Sequence, residues 1–150
     1  MAHTYTNIAI HALFSTKNRV PHVDPELKRE LHPYMGGVLR NLKAKTIALN
    51  GPADHVHFLA VIPPTLCVAE LMGKVKSNSS GWVHEKWPAR SDFAWQIGYT
   101  AFSVSQSNIE AVRKYIENQE AHHRKVSFKE ELIAFLKKHG VAYDERYVFD

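Results

Sequence analysis

The chain has 150 residues, of which 45% are hydrophobic and 23% charged. This composition excludes a disordered tail and predicts one soluble globular domain over residues 1–150. No apolar run reaches the roughly 18 residues that cross a membrane, and the start lacks a signal-like segment. The single cysteine, Cys67, excludes an internal disulfide and predicts a cytoplasmic location. The net charge of +4 is compatible with an anionic partner such as nucleic acid, without requiring one.

The first half of the chain predicts a strand, a helix and a hairpin. Residues 4–15 alternate loosely and are rich in β-formers, which indicates a first strand. Asp24 followed by Pro25 is typical of a helix start, and the helical pattern continues to about residue 45. The stretch "KTIALNGPADHVHFLAVIPP" then predicts two short strands around a turn at Asn50-Gly51-Pro52.

The second half predicts a helix, a long strand and two further helices. We expect "LCVAELMGKVKSNSSGWVHEKW" to be helical in its first half, and "FAWQIGYTAFSVS" to be one long strand with a bend at Gly98-Tyr99. Ser107 with Glu110 predicts a capping box for "SNIEAVRKYIENQEAHH". The last helix, "SFKEELIAFLKKHG", is expected to begin after Ser127 and end at Gly140.

The order of these elements is that of the ferredoxin-like split βαβ arrangement. We therefore predict an α+β sandwich with an antiparallel sheet, helices on one face, and two additional C-terminal helices, the first bearing a tyrosine. Nucleic-acid-binding proteins and nucleases share this fold with many others, so the fold alone does not decide the function.

Two histidines in "ADHVHFLAV" form the first candidate site. On a strand, His55 and His57 project to the same face, where two imidazoles can bind one cation. Asp54 falls on the opposite face with Val56, so we do not expect it to share a metal with the pair. The histidines would sit at the end of an apolar surface, open to a groove. Two ligands alone bind weakly, and half-exposed strand histidines with ordinary hydrogen bonds are the alternative.

The tyrosine-bearing helix forms the second candidate site. Ile109, Val112 and Ile116 define its buried stripe, and Tyr115 and Gln119 lie on one flank, one turn apart. A tyrosine can be a covalent nucleophile, and an amide oxygen can complete a metal shell. A boundary tyrosine that packs its ring and hydrates its hydroxyl is the alternative.

Basic and aromatic side chains elsewhere suggest a nucleic-acid surface. Basic residues around the tyrosine helix form either a solvated face or a phosphate track; they are Arg113, Lys114, Arg124, Lys125 and Lys129. Four aromatic residues are candidates for stacking on unpaired bases, although some must belong to the core; they are Trp82, Trp87, Trp95 and Phe102.

Several segments together resemble one known family. The segments "DHVHFLAVIPP", "KVKSNSSGW", "FAWQIGYTAFSVS", "YIENQEAHH" and "SFKEELIAFLKKHGVAYDERY" occur in the order and spacing of the small single-tyrosine HUH transposases of bacterial insertion sequences. The resemblance extends from "IHALFSTKNR" to the last residues.

The resemblance implies roles for both candidate sites. His55 and His57 resemble the HUH pair that binds a divalent ion, Mg²⁺ or Mn²⁺, and Gln119 resembles the third ligand. Tyr115 resembles the nucleophile that attacks single-stranded DNA and leaves a 5′-phosphotyrosine and a free 3′-hydroxyl. Family members of this kind bind hairpins at element ends and form homodimers whose active sites are shared between subunits.

The same resemblance suggests DNA contacts. Lys76, Ser79 and Ser80 match a family segment, although a frayed helix end is the alternative reading of these polar residues. The full set of candidate DNA-binding residues is Lys17, Arg19, Lys76, Ser79, Ser80, Arg113, Arg124 and Lys125.

Three functions are compatible with the sequence. The favoured one is a metal-dependent DNA transposase that cleaves and rejoins strands through Tyr115. The alternatives are a non-catalytic protein that binds hairpins or single strands, and a phosphodiesterase in which a metal-bound water is the nucleophile.

Overall fold

The computed structural model describes residues 3–119, 122 and 125–150. Its strands form an antiparallel sheet in the order β2-β3-β1-β4, which confirms the predicted ferredoxin-like arrangement. The strands are β1 (Ile8–Ser15), β2 (Lys45–Asn50), β3 (His55–Ile62) and β4 (Thr100–Val104). The helices are α1 (Pro25–Asn41), α2 (Val68–Lys86), α3 (Ile109–Glu117) and α4 (Phe128–Lys138).

Helices α1 and α2 cover one face of the sheet and form the larger core with it. Phe14 of β1 and Phe58 of β3 are fully buried there, together with Leu27 of α1 and Met72 of α2. Each such side chain contributes about 1.5–3 kcal/mol when it leaves water. Helix α1 begins as predicted, because the Asp24 carboxylate accepts a hydrogen bond from the backbone N–H of Leu27.

Helices α3 and α4 cover the opposite face, which carries the histidines. Phe128 and Leu132 of α4 pack with Leu13 of β1 and Phe102 of β4. Ile116 of α3 packs against β3 in a separate small cluster. The histidine face is therefore covered by protein along β1 and β3.

The structure corrects the predicted boundaries of two strands. The first strand, predicted over residues 4–15, begins at Ile8. The long strand predicted over residues 93–105 is reduced to β4, because Phe93 and Trp95 leave the strand path and enter the core. The backbone of Trp95 retains one isolated bridge to Thr16. The expected bend at Gly98 thus lies before β4, where its N–H donates to the carbonyl of Asp150.

The end of α2 and the start of α3 also differ from prediction. Helix α2 continues to Lys86 and does not fray at its serines, since the buried Ser79 hydroxyl donates to the Val75 carbonyl. Helix α3 has Asn108 at its N-cap position without a side-chain capping bond, so the predicted cap at Ser107 is wrong. Helix α4 begins after Ser127 as predicted, and Ser127 and Glu130 form a capping box there.

None of the helices in the described part of the chain combines the length and apolar character needed to cross a membrane.

The hairpin between β2 and β3 contains a tight approach at Gly51. A Cβ atom at this position would lie 2.2 Å from the carbonyl oxygen of His55 and 2.9 Å from the Cα of Val56. The turn that delivers His55 to β3 therefore requires a residue without a side chain.

We expect Gly51→Ala to lower the free energy of unfolding by about 1–3 kcal/mol, since the added methyl must displace backbone atoms. Gly81→Ala in α2 is the matched control, because a Cβ there meets nothing within 4 Å. This substitution should raise the free energy of unfolding by about 0.5–1 kcal/mol. Urea titration of both variants measures the difference. An unchanged midpoint for Gly51→Ala would contradict the close approach.

Candidate active site

His55 and His57 lie side by side on β3, facing α3 and α4. Their ring centroids are 5.2 Å apart, and the Nε2 atoms lie 3.3 and 2.9 Å from Oε1 of Glu131. The relative exposures of the two histidines are 1% and 0%. Strand periodicity thus predicts their shared face correctly, but the expected open groove is wrong, as is the alternative of half-exposed histidines. Phe128 of α4 contributes to the cover, with its ring 4.7 Å from that of His55.

Glu131 is the residue that sequence reasoning missed. It lies on α4 and is 3% exposed. With His55 and His57 it forms a buried group whose donor atoms all lie within 4.8 Å of one another, a geometry compatible with a divalent metal site. One signal was available: Glu131 falls on the apolar stripe of α4 beside Phe128 and Leu132, where an acid is rarely buried without a partner.

Two further residues hold the outer nitrogens of the histidine pair. The Asp54 carboxylate lies 2.7 Å from Nδ1 of His55, and Nε2 of His11 lies 2.8 Å from Nδ1 of His57. Such partners fix the ring orientation of metal-binding histidines and can accept the Nδ1 proton when Nε2 binds a cation. Asp54 therefore touches the side of the His55 ring that faces away from Glu131.

The pKa values of the histidines follow from these contacts. Burial opposes protonation of His55, but the hydrogen bonds to Asp54 and Glu131, with their charges, raise the pKa of His55 above its ordinary value. Burial, and then the neighbouring His57, lower the pKa of His11 to about 3. The raised pKa of His55 favours its protonated form next to the buried carboxylate, and the lowered pKa of His11 keeps that ring neutral.

The hydroxyl of Tyr115 joins the same cluster. It donates a hydrogen bond to Oε2 of Glu131 and lies 2.9 Å from Nε2 of His122. Its ring centroid is 5.9 Å from that of His57. Burial, followed by the hydrogen bond and charge of Glu131, raises the pKa of Tyr115 well above its ordinary value, so the phenol is protonated in this arrangement.

Gln119 lies one turn after Tyr115 and is fully buried. Its Nε2 donates to the Tyr115 carbonyl at 3.3 Å, and its amide also lowers the pKa of the Tyr115 hydroxyl slightly, against the larger effects. Within the described part of the chain, Gln119 Oε1 is a buried acceptor with no hydrogen-bond partner. A buried acceptor without a partner costs about 1–3 kcal/mol, and a cation ligand is one role that would offset this cost.

The residues predicted to contact DNA are spread over different surroundings. Ser79 is fully buried, and its hydroxyl is hydrogen-bonded to the Val75 carbonyl and to the indole N–H of Trp95. DNA therefore cannot reach Ser79, contrary to the prediction. Lys76 is half-buried, donates to the Ile97 and Gly98 carbonyls, and has its pKa lowered to about 8 by burial. Lys76 and Ser80 line one cavity of about 390 Å³.

The other basic candidates differ in how their charges are engaged. Lys17 and Lys125 are exposed, whereas the Arg19 guanidinium lies 5.5 Å from the ring centroid of Phe149. Arg113 forms ion pairs with Glu110 and Glu117, which offset its charge. Arg124 lies outside the described residues.

The proposed stacking aromatics divide into two pairs. Trp95 and Phe102 are 7% and 5% exposed and belong to the core, so they present no surface for bases. Trp82 and Trp87 are half-buried, and Trp82 stacks on Tyr34 with the ring centroids 4.4 Å apart.

The two histidines, Glu131 and Tyr115 form one buried candidate site against a ferredoxin-like sheet, and comparison with known proteins identifies the family. Residues 4–119 match the family model described as "Transposase IS200 like". The chain is 30% identical over 128 residues to the transposase for insertion sequence element IS200 of Salmonella typhimurium strain LT2, across 79% of this chain and 81% of that protein. The Salmonella typhi counterpart matches to the same extent. The chain therefore belongs to the IS200-like transposase family.

Two solved structures share the fold. One is the crystal structure of a protein from Deinococcus radiodurans R1 assigned as a transposase, with a TM-score of 0.66 and 21% identity over 79% of this chain and 96% of that one. The other is a REP-associated tyrosine transposase bound to a REP hairpin, with a TM-score of 0.62 and 14% identity over 84% and 74% of the two chains. The family match ends at Gln119, so α4 and Glu131 lie beyond it.

Asn50 links the hairpin to the tyrosine helix. Its Nδ2 donates to the carbonyls of Ile116 and Glu117, each at 3.1 Å, and so holds the end of α3 that carries Tyr115. We expect Asn50→Ala to cost about 0.5–1.5 kcal/mol of unfolding free energy for each of the two hydrogen bonds that it removes from the end of α3. Amide hydrogen exchange should show that the substitution accelerates exchange in α3 more than in α1. Equal protection of α3 in the variant and the wild type would contradict this link.

Proposed function

We propose that this transposase cleaves and rejoins single-stranded DNA at insertion-sequence ends, with Tyr115 as the covalent nucleophile and a divalent metal at the histidine pair. One observation carries the proposal. A single buried carboxylate, that of Glu131, contacts both Nε2 atoms of the histidines and the Tyr115 hydroxyl. The nucleophile and the candidate metal donors thus converge on one point of the fold.

The donor set fits a divalent ion such as Mg²⁺ or Mn²⁺. His55 and His57 would hold it through Nε2, Glu131 through its carboxylate, and Gln119 through the oxygen that has no hydrogen-bond partner within the described residues. When bound, such an ion supplies positive charge that polarises the phosphoryl oxygens and stabilises a tyrosinate.

Tyr115 would act by in-line displacement on the phosphorus atom. A bond forms between the Tyr115 hydroxyl oxygen and phosphorus while the bond to the 3′ oxygen breaks. Glu131 Oε2, which accepts the Tyr115 hydrogen bond, is positioned to take the hydroxyl proton, and the leaving oxygen gains a proton to become a free 3′-hydroxyl. The 5′-phosphotyrosine retains the bond energy, so a second 3′-hydroxyl can reverse the step without ATP.

The contacts of Tyr115 favour this reaction over the two alternatives. A phosphodiesterase that uses water would not need a phenol bonded to the same carboxylate as the histidines. A non-catalytic binding protein would need neither the buried histidines nor Glu131, whose burial is costly.

DNA hairpins at the element ends are the proposed substrate, supported by the family and by the hairpin bound to one of the structural relatives. The residues that stay proposed DNA contacts are Lys17, Arg19, Lys76, Ser80, Arg113, Arg124 and Lys125. A homodimer with shared active sites stays a prediction. In the single chain, Tyr115 faces the histidines of the same chain.

Tyr115→Phe should abolish covalent capture of DNA, because the nucleophilic oxygen is absent. Labelled single-stranded DNA hairpins are incubated with Mn²⁺ and the protein. The mixture is then denatured and resolved by electrophoresis. Wild type and the control Tyr147→Phe, whose tyrosine is 62% exposed, should both yield the protein–DNA adduct. Cleavage that survives in Tyr115→Phe would support the water mechanism, and binding without cleavage by the wild type would support the non-catalytic alternative.

His57→Gln should weaken Mn²⁺ binding by more than about 100-fold, since it removes a direct ligand rather than an outer partner. Electron paramagnetic resonance of free Mn²⁺ measures the affinity without relying on activity. The control is His84→Gln, since His84 lies on α2 and bonds the Phe93 carbonyl. Circular dichroism tests whether His57→Gln is folded. Unchanged Mn²⁺ affinity in a folded His57→Gln protein would place the metal elsewhere.

A further inference from the structure

Two cavities reach the side chain of Tyr115. The first, here called the β4 cavity, has a volume of about 300 Å³ and lies between β4, α3 and α4. The second, here called the acidic cavity, has a volume of about 310 Å³ and lies between His122 and α4. Tyr115, Phe135 and Lys138 contribute to the walls of both cavities. Each has room for one planar ring system, at the lower end of the usual size of ligand pockets.

The two cavities differ in charge. The acidic cavity is lined by Glu130 and Glu131, and the carboxylate of Glu130, which is not a candidate metal ligand, repels a phosphodiester. Among the described residues, the lining of the β4 cavity contains no carboxylate and includes the ammonium group of Lys138. Electrostatic complementarity therefore favours the β4 cavity for an anionic nucleotide.

The β4 cavity also has aromatic walls suited to a base. Phe102 is a core residue behind this wall: the exposed His139 ring stacks on it with ring centroids 4.1 Å apart, and the half-buried Phe135 ring lies 5.9 Å from it. Ser103 and Asn108 add polar groups that can hydrogen-bond a base edge. Stacking of one base on such aromatic side chains strengthens binding by about 5- to 150-fold.

We propose that the β4 cavity binds the base of one unpaired nucleotide next to the phosphate that Tyr115 attacks, with Lys138 contacting the backbone. This inference rests on the proposed function and specifies its substrate. Phe135, Lys138 and His139 belong to the segment after Gln119, beyond the family match. The subsite therefore specifies a base contact in a part of the chain that the family model does not cover.

Filling each cavity separately tests the proposal. Ala111 of α3 lines the β4 cavity and Ala134 of α4 lines the acidic cavity, and both alanines are exposed on helices. Ala111→Trp and Ala134→Trp are therefore matched variants. Fluorescence anisotropy with the four fluorescein-labelled homopentameric deoxyoligonucleotides measures binding to each, and circular dichroism checks folding.

We expect Ala111→Trp to lower the affinity for the tightest-binding pentamer about tenfold or more, because one stacked base is lost. Ala134→Trp should change that affinity less than about threefold. An abasic site in that pentamer should weaken wild-type binding and remove the difference between wild type and Ala111→Trp. Equal effects of both variants, a larger effect of Ala134→Trp, or no wild-type binding would overturn the proposal.

The proposed function fails separately from this inference. The covalent-adduct assay on the wild type tests the role of Tyr115 as nucleophile, whereas the comparison of Ala111→Trp with Ala134→Trp tests the β4 cavity. Base-dependent binding without any covalent adduct would leave the β4 cavity as a nucleotide site and refute the tyrosine mechanism.

Discussion

The buried carboxylate of Glu131 is the interaction on which the candidate site depends. It brings together groups from three elements: the histidines of β3, Tyr115 of α3, and its own helix α4. An uncompensated charge in this position would cost several kcal/mol, so the histidines and Tyr115 stabilise the docked position of α4 in addition to its apolar contacts. The packing of α4 and the assembly of the site are therefore energetically coupled.

The periodicity of the sequence predicts the parts of this site that lie within single elements. The two-residue repeat of a strand places His55 and His57 on one face, and the helical repeat places Gln119 one turn after Tyr115. The order of elements likewise predicts the sheet, because sequential elements of a split βαβ unit have few alternative arrangements. These predictions use local geometry alone.

Contacts between distant elements could not be predicted in the same way. His11 meets His57 only because β1 and β3 pair in the register that places Leu13 opposite His57. Glu131 reaches the histidines from 74 residues away along the chain. Register and helix docking follow from the packing of the whole fold, which no short pattern contains. The same limitation explains why the histidine face was expected to be open.

The capping box at Ser127 has a consequence for the chemistry of the site. Side chains three and four residues apart lie on the same face of a helix, so Glu131 faces the sheet together with Phe128 and Leu132. The capping box stabilises the first turn of α4, which carries Phe128 and leads directly to Glu131. Ser127 lies outside the cluster, yet it stabilises the helical turn from which Glu131 faces the candidate cation site.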